Sequence, residues 1–255
     1  MGDRRFGAEG HALFSRRHEY PLPTALDVSR IRAITIDLDD TLWPIWPIIE
    51  RAEAVLAAWL LEHAPATAAQ WGDPKALRAV RNEMHTLRPD LAHDMSALRR
   101  EAIRLVLTRA GDDPALAEPA FDIFFAERQR VELFEDALPA LEFLAKRYPV
   151  VALSNGNANV HTVGLGQHFH AAFSAHEFGV GKPDARIFHA AAGSAGVGAA
   201  EVLHIGDDAQ LDVVGALGAG MQVAWLNRAG HAWAHAPLQP HVTVADLMAL
   251  CRQLG

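Results

Sequence analysis

The chain has 255 residues, half of them hydrophobic, and 31 acidic against 23 basic side chains give it a formal charge of −8. That length and apolar content can bury a substantial core, as one large domain or a core with an insert, while the acid excess and the lack of a long basic run argue against a nucleic-acid partner. No apolar stretch approaches the roughly 20 residues of a membrane span and the N-terminus lacks the compact apolar segment of a secretory signal, so a soluble, cytoplasmic protein without a membrane partner is expected.

In chain order, residues 1–27 are polar, Arg-rich and broken by Pro21 and Pro23, which reads as a loose N-terminal extension. Residues 31–38 read as a buried strand. From about 45 to 134 the pattern is helical throughout, with helices near 47–63, 74–88, 94–110 and 114–130 separated by Pro65, "WGDP", "RPD" and "GDDP". Apolar positions such as Ile103, Val106 and Leu107, or Phe121, Phe124 and Phe125, recur at helical spacing and read as packing positions. A helix over 137–147 follows, then the strand "PVVALSNG", a short helix near 158–167, a weak third strand in "AAFSAHEFG" and a helix in "DARIFHAAAGSAG". The series ends with the strand "EVLHIGDD", a helix over 208–219, the strand "MQVAWL" and a helix near 243–253 that carries Cys251, the single cysteine, at an apolar position. Alternating strands and helices predict an α/β fold, a Rossmann-like parallel sheet covered by helices on both faces. Residues 28–44 and 135–255 would form that core, and residues 45–134 an inserted all-helical cap over the carboxyl ends of the strands.

Four polar clusters carry the chemistry: "DLDDT" at 37–41, "SNGN" at 154–157, "GKPD" at 181–184 and "GDD" at 206–208. Singly, each reads as a turn or a helix N-cap. In a parallel sheet all of them emerge on one edge, which gathers Asp37, Asp39, Asp207, Asp208 and Asp212 around a point. Carboxylates so crowded repel one another unless a cation sits among them, and hard oxygen ligands favour Mg²⁺. Lys182 and the Ser154 hydroxyl can hold an anion on the other side, a combination that describes phosphoryl transfer. The 14 histidines bring no cysteine or carboxylate partners at a metal-ligand spacing, whether in "HFH" or in "HAWAH".

The ordered set Asp-Leu-Asp-Asp-Thr, Ser-Asn-Gly, Lys-Pro and Gly-Asp-Asp resembles the haloacid dehalogenase superfamily of hydrolases from about Ile31 onward. The resemblance implies that Asp37 is the nucleophile of an aspartyl-phosphate mechanism and Asp39 the general acid and base. It implies Mg²⁺ held by Asp37, the backbone carbonyl of Asp39 and Asp207, and phosphoryl oxygens bound by Ser154, Lys182 and backbone N–H groups near Asn155. Asp208 and Asp212 would orient water or Lys182. The short stretch between Asn155 and Lys182 leaves no room for the alternative cap of other branches. Asp39 separates activities within the superfamily, because halide displacement requires neither Mg²⁺ nor a second aspartate, so a phosphatase is expected.

Segments such as "LSNGNANVHTVGLGQHF" and "RPDLAHDMSALRREAIRLVLTRAG" resemble the bacterial branch that dephosphorylates flavin mononucleotide and 5-amino-6-(5-phospho-D-ribitylamino)uracil. Trp43, Trp46, Arg51, His93 and Arg99 then become candidates to face the leaving group; the plainer reading packs the tryptophans at a hinge stiffened by Pro44 and Pro47 and leaves the arginines in solvent. Rival expectations are a phosphatase for phosphoglycolate or a sugar phosphate, a catalytically idle protein-binding relative, and a phosphoacceptor receiver domain, which is shorter and lacks a helical insert. Oligomeric state has no signature in the sequence.

Overall fold

A computed structural model describes residues 25–255 of the chain. The expectation of a loose extension over residues 1–27 therefore lies, up to residue 24, outside the described residues. By Asp27 the chain is already docked: its N–H donates to Gln222 Oε1 at 2.7 Å and its carbonyl accepts from Gln222 Nε2 at 3.0 Å.

Six parallel strands form the sheet: β1 (Ala33–Ile36), β2 (Val150–Ser154), β3 (Ala171–Ser174), β4 (Val202–Gly206), β5 (Gln222–Leu226) and β6 (Val242–Val244), in the order β3-β2-β1-β4-β5-β6. Covered on both faces, β1, β2, β4 and β5 are buried throughout, which is why they read as continuous apolar runs rather than alternating ones. Alternate residues serve opposite faces: Ile34, Ile36, Leu203 and Ile205 join one apolar cluster, Ala33, Val151, Val202 and Val223 the other. Helices α6 (Ala137–Ala145) and α10 (Leu247–Leu254) pack on the first face; α8 (Ala185–Ser194) and the short α9 (Gly215–Gly218) pack on the second. The chain runs outward through β1, β2 and β3, then returns to lay β4 on the other side of β1. Strand order thus reverses at β1 and β4, where open parallel sheets bind ligands.

Between β1 and α6 the chain forms α1 (Ile45–His63), α2 (Pro65–Trp71), α3 (Pro74–Leu87), α4 (Met95–Ala110) and α5 (Ala117–Arg128), which share an apolar cluster of their own around Leu56, Leu98, Val106, Phe121 and Phe124. Asp73 and Asp113 accept from Lys75 N–H and Ala115 N–H, so the expected breaks "WGDP" and "GDDP" hold N-caps, while α4 is capped by Asp94, past "RPD", through Ala97 N–H. Among the described residues no helix is long and apolar enough to cross a membrane.

Local expectations fail where long-range or side-chain hydrogen bonds decide. The helix expected near 158–167 is cut to a single turn: Asn159 caps it, its Oδ1 accepting from His161 N–H (2.9 Å) and Thr162 N–H (3.1 Å) and its carbonyl from Val163 N–H (3.0 Å), and Gly164 at φ 83° ends it. Helix α2 follows α1 after the single residue Ala64, since Pro65 starts a helix as readily as it stops one. The start of the terminal helix moves: Val242–Val244 pairs with β5, and α10 begins only after the Asp246 N-cap. The segment "AAFSAHEFG" divides into β3 and a one-turn helix, α7 (Ala175–Phe178). In place of a regular helix over 208–219, Ala209–Val214 forms a π-helical turn that carries Asp212 inward.

Candidate active site

The loop after β1 shows why three acids can leave a hydrophobic strand together. Asp37 extends the ladder, its N–H donating to Ile205 O at 2.9 Å, and the chain then folds back so that Leu42 N–H reaches Leu38 O at 2.8 Å. Asp40 takes the left-handed conformation, φ 58°, which aspartate tolerates better than most residues. Its carboxylate accepts from Ile45 N–H at 2.9 Å and fixes the entry to α1. Asp37 and Asp39 are left pointing at the switch point.

Asp37 is buried and paired with Lys182 Nζ, which also reaches Asp212 Oδ1 at 2.6 Å. Asp212 accepts in turn from His204 Nε2 at 3.0 Å and from Asp208 N–H at 3.0 Å, and the other nitrogen of His204 bonds the Thr35 hydroxyl at 2.8 Å. A polar chain therefore runs through the sheet from Thr35 to Asp37. Gly206 makes room for it, because a Cβ there would overlap the Asp212 carboxylate. Asp208 does not touch Lys182; its side chain caps the π-helical turn, accepting from Gln210 N–H at 2.8 Å and Leu211 N–H at 2.7 Å.

Charge in this cluster is unbalanced. Burial pushes the Asp37 carboxyl upward, Lys182 opposes the rise, and Asp212 and Asp207 add to it. Burial also raises Asp207, to about 7, with further pressure from Asp212 and Asp40. Asp212 is held below the usual carboxylate range because Lys182 and His204 outweigh its burial. Oxygens of Asp37, Asp207 and Asp212 lie within 4.8 Å of one another. A hard divalent cation fits such a donor set, since it stabilises the carboxylates that one lysine leaves uncompensated. Asp207 is fixed by the Thr41 hydroxyl at 3.3 Å and, through its carbonyl, by Trp225 Nε1 at 2.7 Å.

Ser154 ends β2 and its hydroxyl accepts from Gly156 N–H at 3.0 Å. The Asn155 side chain is engaged with the loop opposite, accepting from Lys182 N–H at 2.7 Å and donating to Lys182 O at 2.8 Å. Asn155 thus positions Lys182, and any contact with an anion falls to the backbone around it.

Asp39 faces a cavity of 260 Å³ lined by residues of the helical unit, among them Trp46, Arg81, Arg99, Phe124 and Arg128. Its carboxylate accepts from Trp43 Nε1 at 2.7 Å and from Arg128 Nη2 at 2.7 and 2.8 Å. Of the five residues considered for the leaving group, Trp46 and Arg99 line this cavity and Trp43 is buried behind Asp39. His93 lines a different cavity, beside Asn155 and Lys182. Arg51 turns away, paired with Glu127 at 2.5 Å and with Glu132 at 3.5 Å. Arg128 was not legible in "AERQR": both its arginines look like solvated residues of a last helical turn, yet the Arg128 side chain is 2 % exposed and that of Arg130 76 %.

A family model described as haloacid dehalogenase-like hydrolase matches residues 31–220. The 5-amino-6-(5-phospho-D-ribitylamino)uracil phosphatase YigB of Escherichia coli is 32 % identical over 231 residues, 88 % of this chain and 96 % of that protein. The phosphoserine phosphatase of Thermus thermophilus is 35 % identical over 136 residues, 51 % of this chain and 55 % of that protein. Among solved structures, one described as a 2-haloacid dehalogenase from Pseudomonas syringae superposes with a TM-score of 0.80 at 36 % identity, over 88 % of this chain and 97 % of that one.

Proposed function

The chain belongs to the haloacid dehalogenase-like hydrolases and is a phosphoric monoester hydrolase of that family, and on that premise we propose a Mg²⁺-dependent phosphatase that works through an aspartyl-phosphate on Asp37. One observation carries the reading: Asp37 and Asp39, two residues apart, reach the switch point together, one beside Lys182 and the acidic cluster, the other beside a cavity among the helices. In this reading residues 45–134 are a cap that supplies the leaving-group pocket.

A carboxylate oxygen of Asp37 attacks phosphorus and the P–O ester bond breaks. The leaving oxygen takes a proton from Asp39, which then accepts one from the water that cleaves the aspartyl-phosphate, releasing phosphate and restoring Asp37. Ser154, Lys182 and the N–H groups after Ser154 bind the phosphoryl oxygens. Asp37, the Asp39 carbonyl and Asp207 would hold Mg²⁺, with Asp212 close by in the same cluster and Asp208 shaping its turn; bound there, the ion would supply positive charge against the charge that grows during transfer. Because it already grips Arg128 and Trp43, Asp39 meets the leaving oxygen as a positioned group rather than a free one.

The substrate we favour is 5-amino-6-(5-phospho-D-ribitylamino)uracil, supported by the likeness to the E. coli enzyme along nearly its whole length. Flavin mononucleotide is the alternative substrate within the same reading. The dehalogenase description of the Pseudomonas structure supports a second reading, displacement of halide from carbon. Asp39 weighs against it, since that chemistry has no leaving oxygen to protonate. A panel of phosphorylated metabolites, p-nitrophenyl phosphate and 2-chloropropionate, run with Mg²⁺ and with chelator, decides between them: phosphate release that requires Mg²⁺ is expected, and chloride release without it refutes the proposal.

A further inference from the structure

We infer that the cavity beside Asp39 is a recognition site for leaving groups that end in a planar head bearing oxygen acceptors. The inference rests on the phosphatase reading only for calling its occupant a leaving group. Three arginines from three helices converge on the cavity: Arg81 from α3, Arg99 from α4 and Arg128 from α5. Two of them hold donors with nothing to bind. Arg128 Nη1 and Arg81 Nε are buried and without a hydrogen-bond partner, and only one other buried side-chain nitrogen or oxygen among the described residues, on Arg228, shares that condition. Unmet buried donors are costly, so a ligand that supplies acceptors here is strongly favoured.

Nearby charge points the same way. The Arg99 guanidinium lies over the Phe124 ring, 3.7 Å from its centre, and stands 3.8 Å from Glu53, which is bound more closely by Arg78 at 2.5 Å. Burial and then the neighbouring Arg81 push the Arg99 guanidinium down to about 9, so it stays charged at neutral pH. Four guanidinium groups thus face two carboxylates, Glu53 and Asp39. Phosphate does not answer this excess, because Ser154 and Lys182 lie outside the cavity wall. Guanidinium forks match oxygens held in one plane, and the remaining wall, with Ile45, Ile49 and Trp46, suits a flat ring. A pyrimidine dicarbonyl edge and a carboxylate share the required chemistry.

Matched ester pairs separate these sources. The first compares 5-amino-6-(5-phospho-D-ribitylamino)uracil with ribitol 5-phosphate, the second phosphoserine with phosphoethanolamine. For the wild type we expect kcat/KM to favour the headed member of at least one pair by about 10- to 100-fold, the range of charged hydrogen bonds. Arg81→Met should collapse that ratio, and Arg81→Lys, which keeps the charge and loses the fork, should restore only part of it. Should Arg81→Met fail to fold, Arg81→Lys alone must still lower the ratio. The dephosphorylated alcohols, titrated calorimetrically into wild type and variants, report on the cavity without catalysis: the headed alcohol should bind the wild type at least tenfold more tightly than Arg81→Met. Equal ratios in wild type and variants, or equal binding of headed and headless alcohols, overturn the inference. Selective binding in a protein that hydrolyses no phosphate ester would sink the phosphatase reading and leave the pocket standing.

Discussion

Replacing Gly156 by alanine tests whether the placement of Asp39 matters as the structure implies. A Cβ at this position falls well inside van der Waals contact of Asp39 Oδ2, 3.2 Å from Ser154 Oγ and 3.5 Å from Arg128 Nη2. Gly156 is not among the glycines with positive φ, so the backbone tolerates alanine and the conflict is one of space. Asp39 cannot retreat without breaking its bonds to Arg128 and Trp43, at 2.7 Å each. A carboxylate displaced by about 1 Å loses roughly 10²-fold in rate, or about 2.7 kcal/mol of transition-state stabilisation. Overpacking costs about 1–3 kcal/mol of stability, little enough for the protein to remain folded. Steady-state kinetics on a poor-leaving-group ester, with a urea denaturation curve alongside, measure both. A folded Gly156→Ala variant with kcat/KM within about twofold of wild type refutes the reasoning, because the stated loss is roughly 10²-fold.

Asp37→Asn should abolish turnover and leave no acid-stable, hydroxylamine-labile phosphoenzyme on rapid acid quench, whereas Asp39→Asn should slow esters of poor leaving groups by about 10²- to 10⁴-fold and p-nitrophenyl phosphate much less; equal losses on the two ester types would contradict the acid role. Lys182→Met leaves Asp37 and Asp212 buried without their shared cation, so urea denaturation should report a loss of about 3–5 kcal/mol. Removing divalent metal with excess chelator should stop phosphate release, and added Mg²⁺ should restore it; activity indifferent to chelation argues against an ion at the acidic cluster. Burial raises the Cys251 thiol to about 11, so at about pH 8 it carries less thiolate than a free cysteine, and an aromatic disulfide reagent should modify it only after unfolding.

The sequence carried the parts of this fold that depend on short-range pattern. Continuous apolar runs announced β1, β2, β4 and β5, and prolines with N-cap aspartates marked most helices before α6. Elements that depend on distant partners were less legible: β6 exists because β5 offers it an edge. The turn after Asn159 stayed short because Gly164, at φ 83°, ends it. The same division holds at the site. Asp37, Lys182, Asp207 and Asp212 follow from placing strand-end motifs on one edge, and the structure brings them together. The helical contribution resisted reading because burial, not residue type, distinguishes Arg128 from Arg130 and Arg99 from Arg51, and no spacing rule encodes burial for a residue whose ordinary place is the surface.

The bond between Arg128 and Asp39 spans 89 residues and joins the last residue of α5 to the loop that leaves β1. Any outward displacement of α5 must drag this carboxylate along or break two charge-assisted hydrogen bonds, each of a class worth about 1.5–3 kcal/mol. The helices and the acidic loop are therefore linked as a latch is linked to its bolt: the position of one is legible in the position of the other.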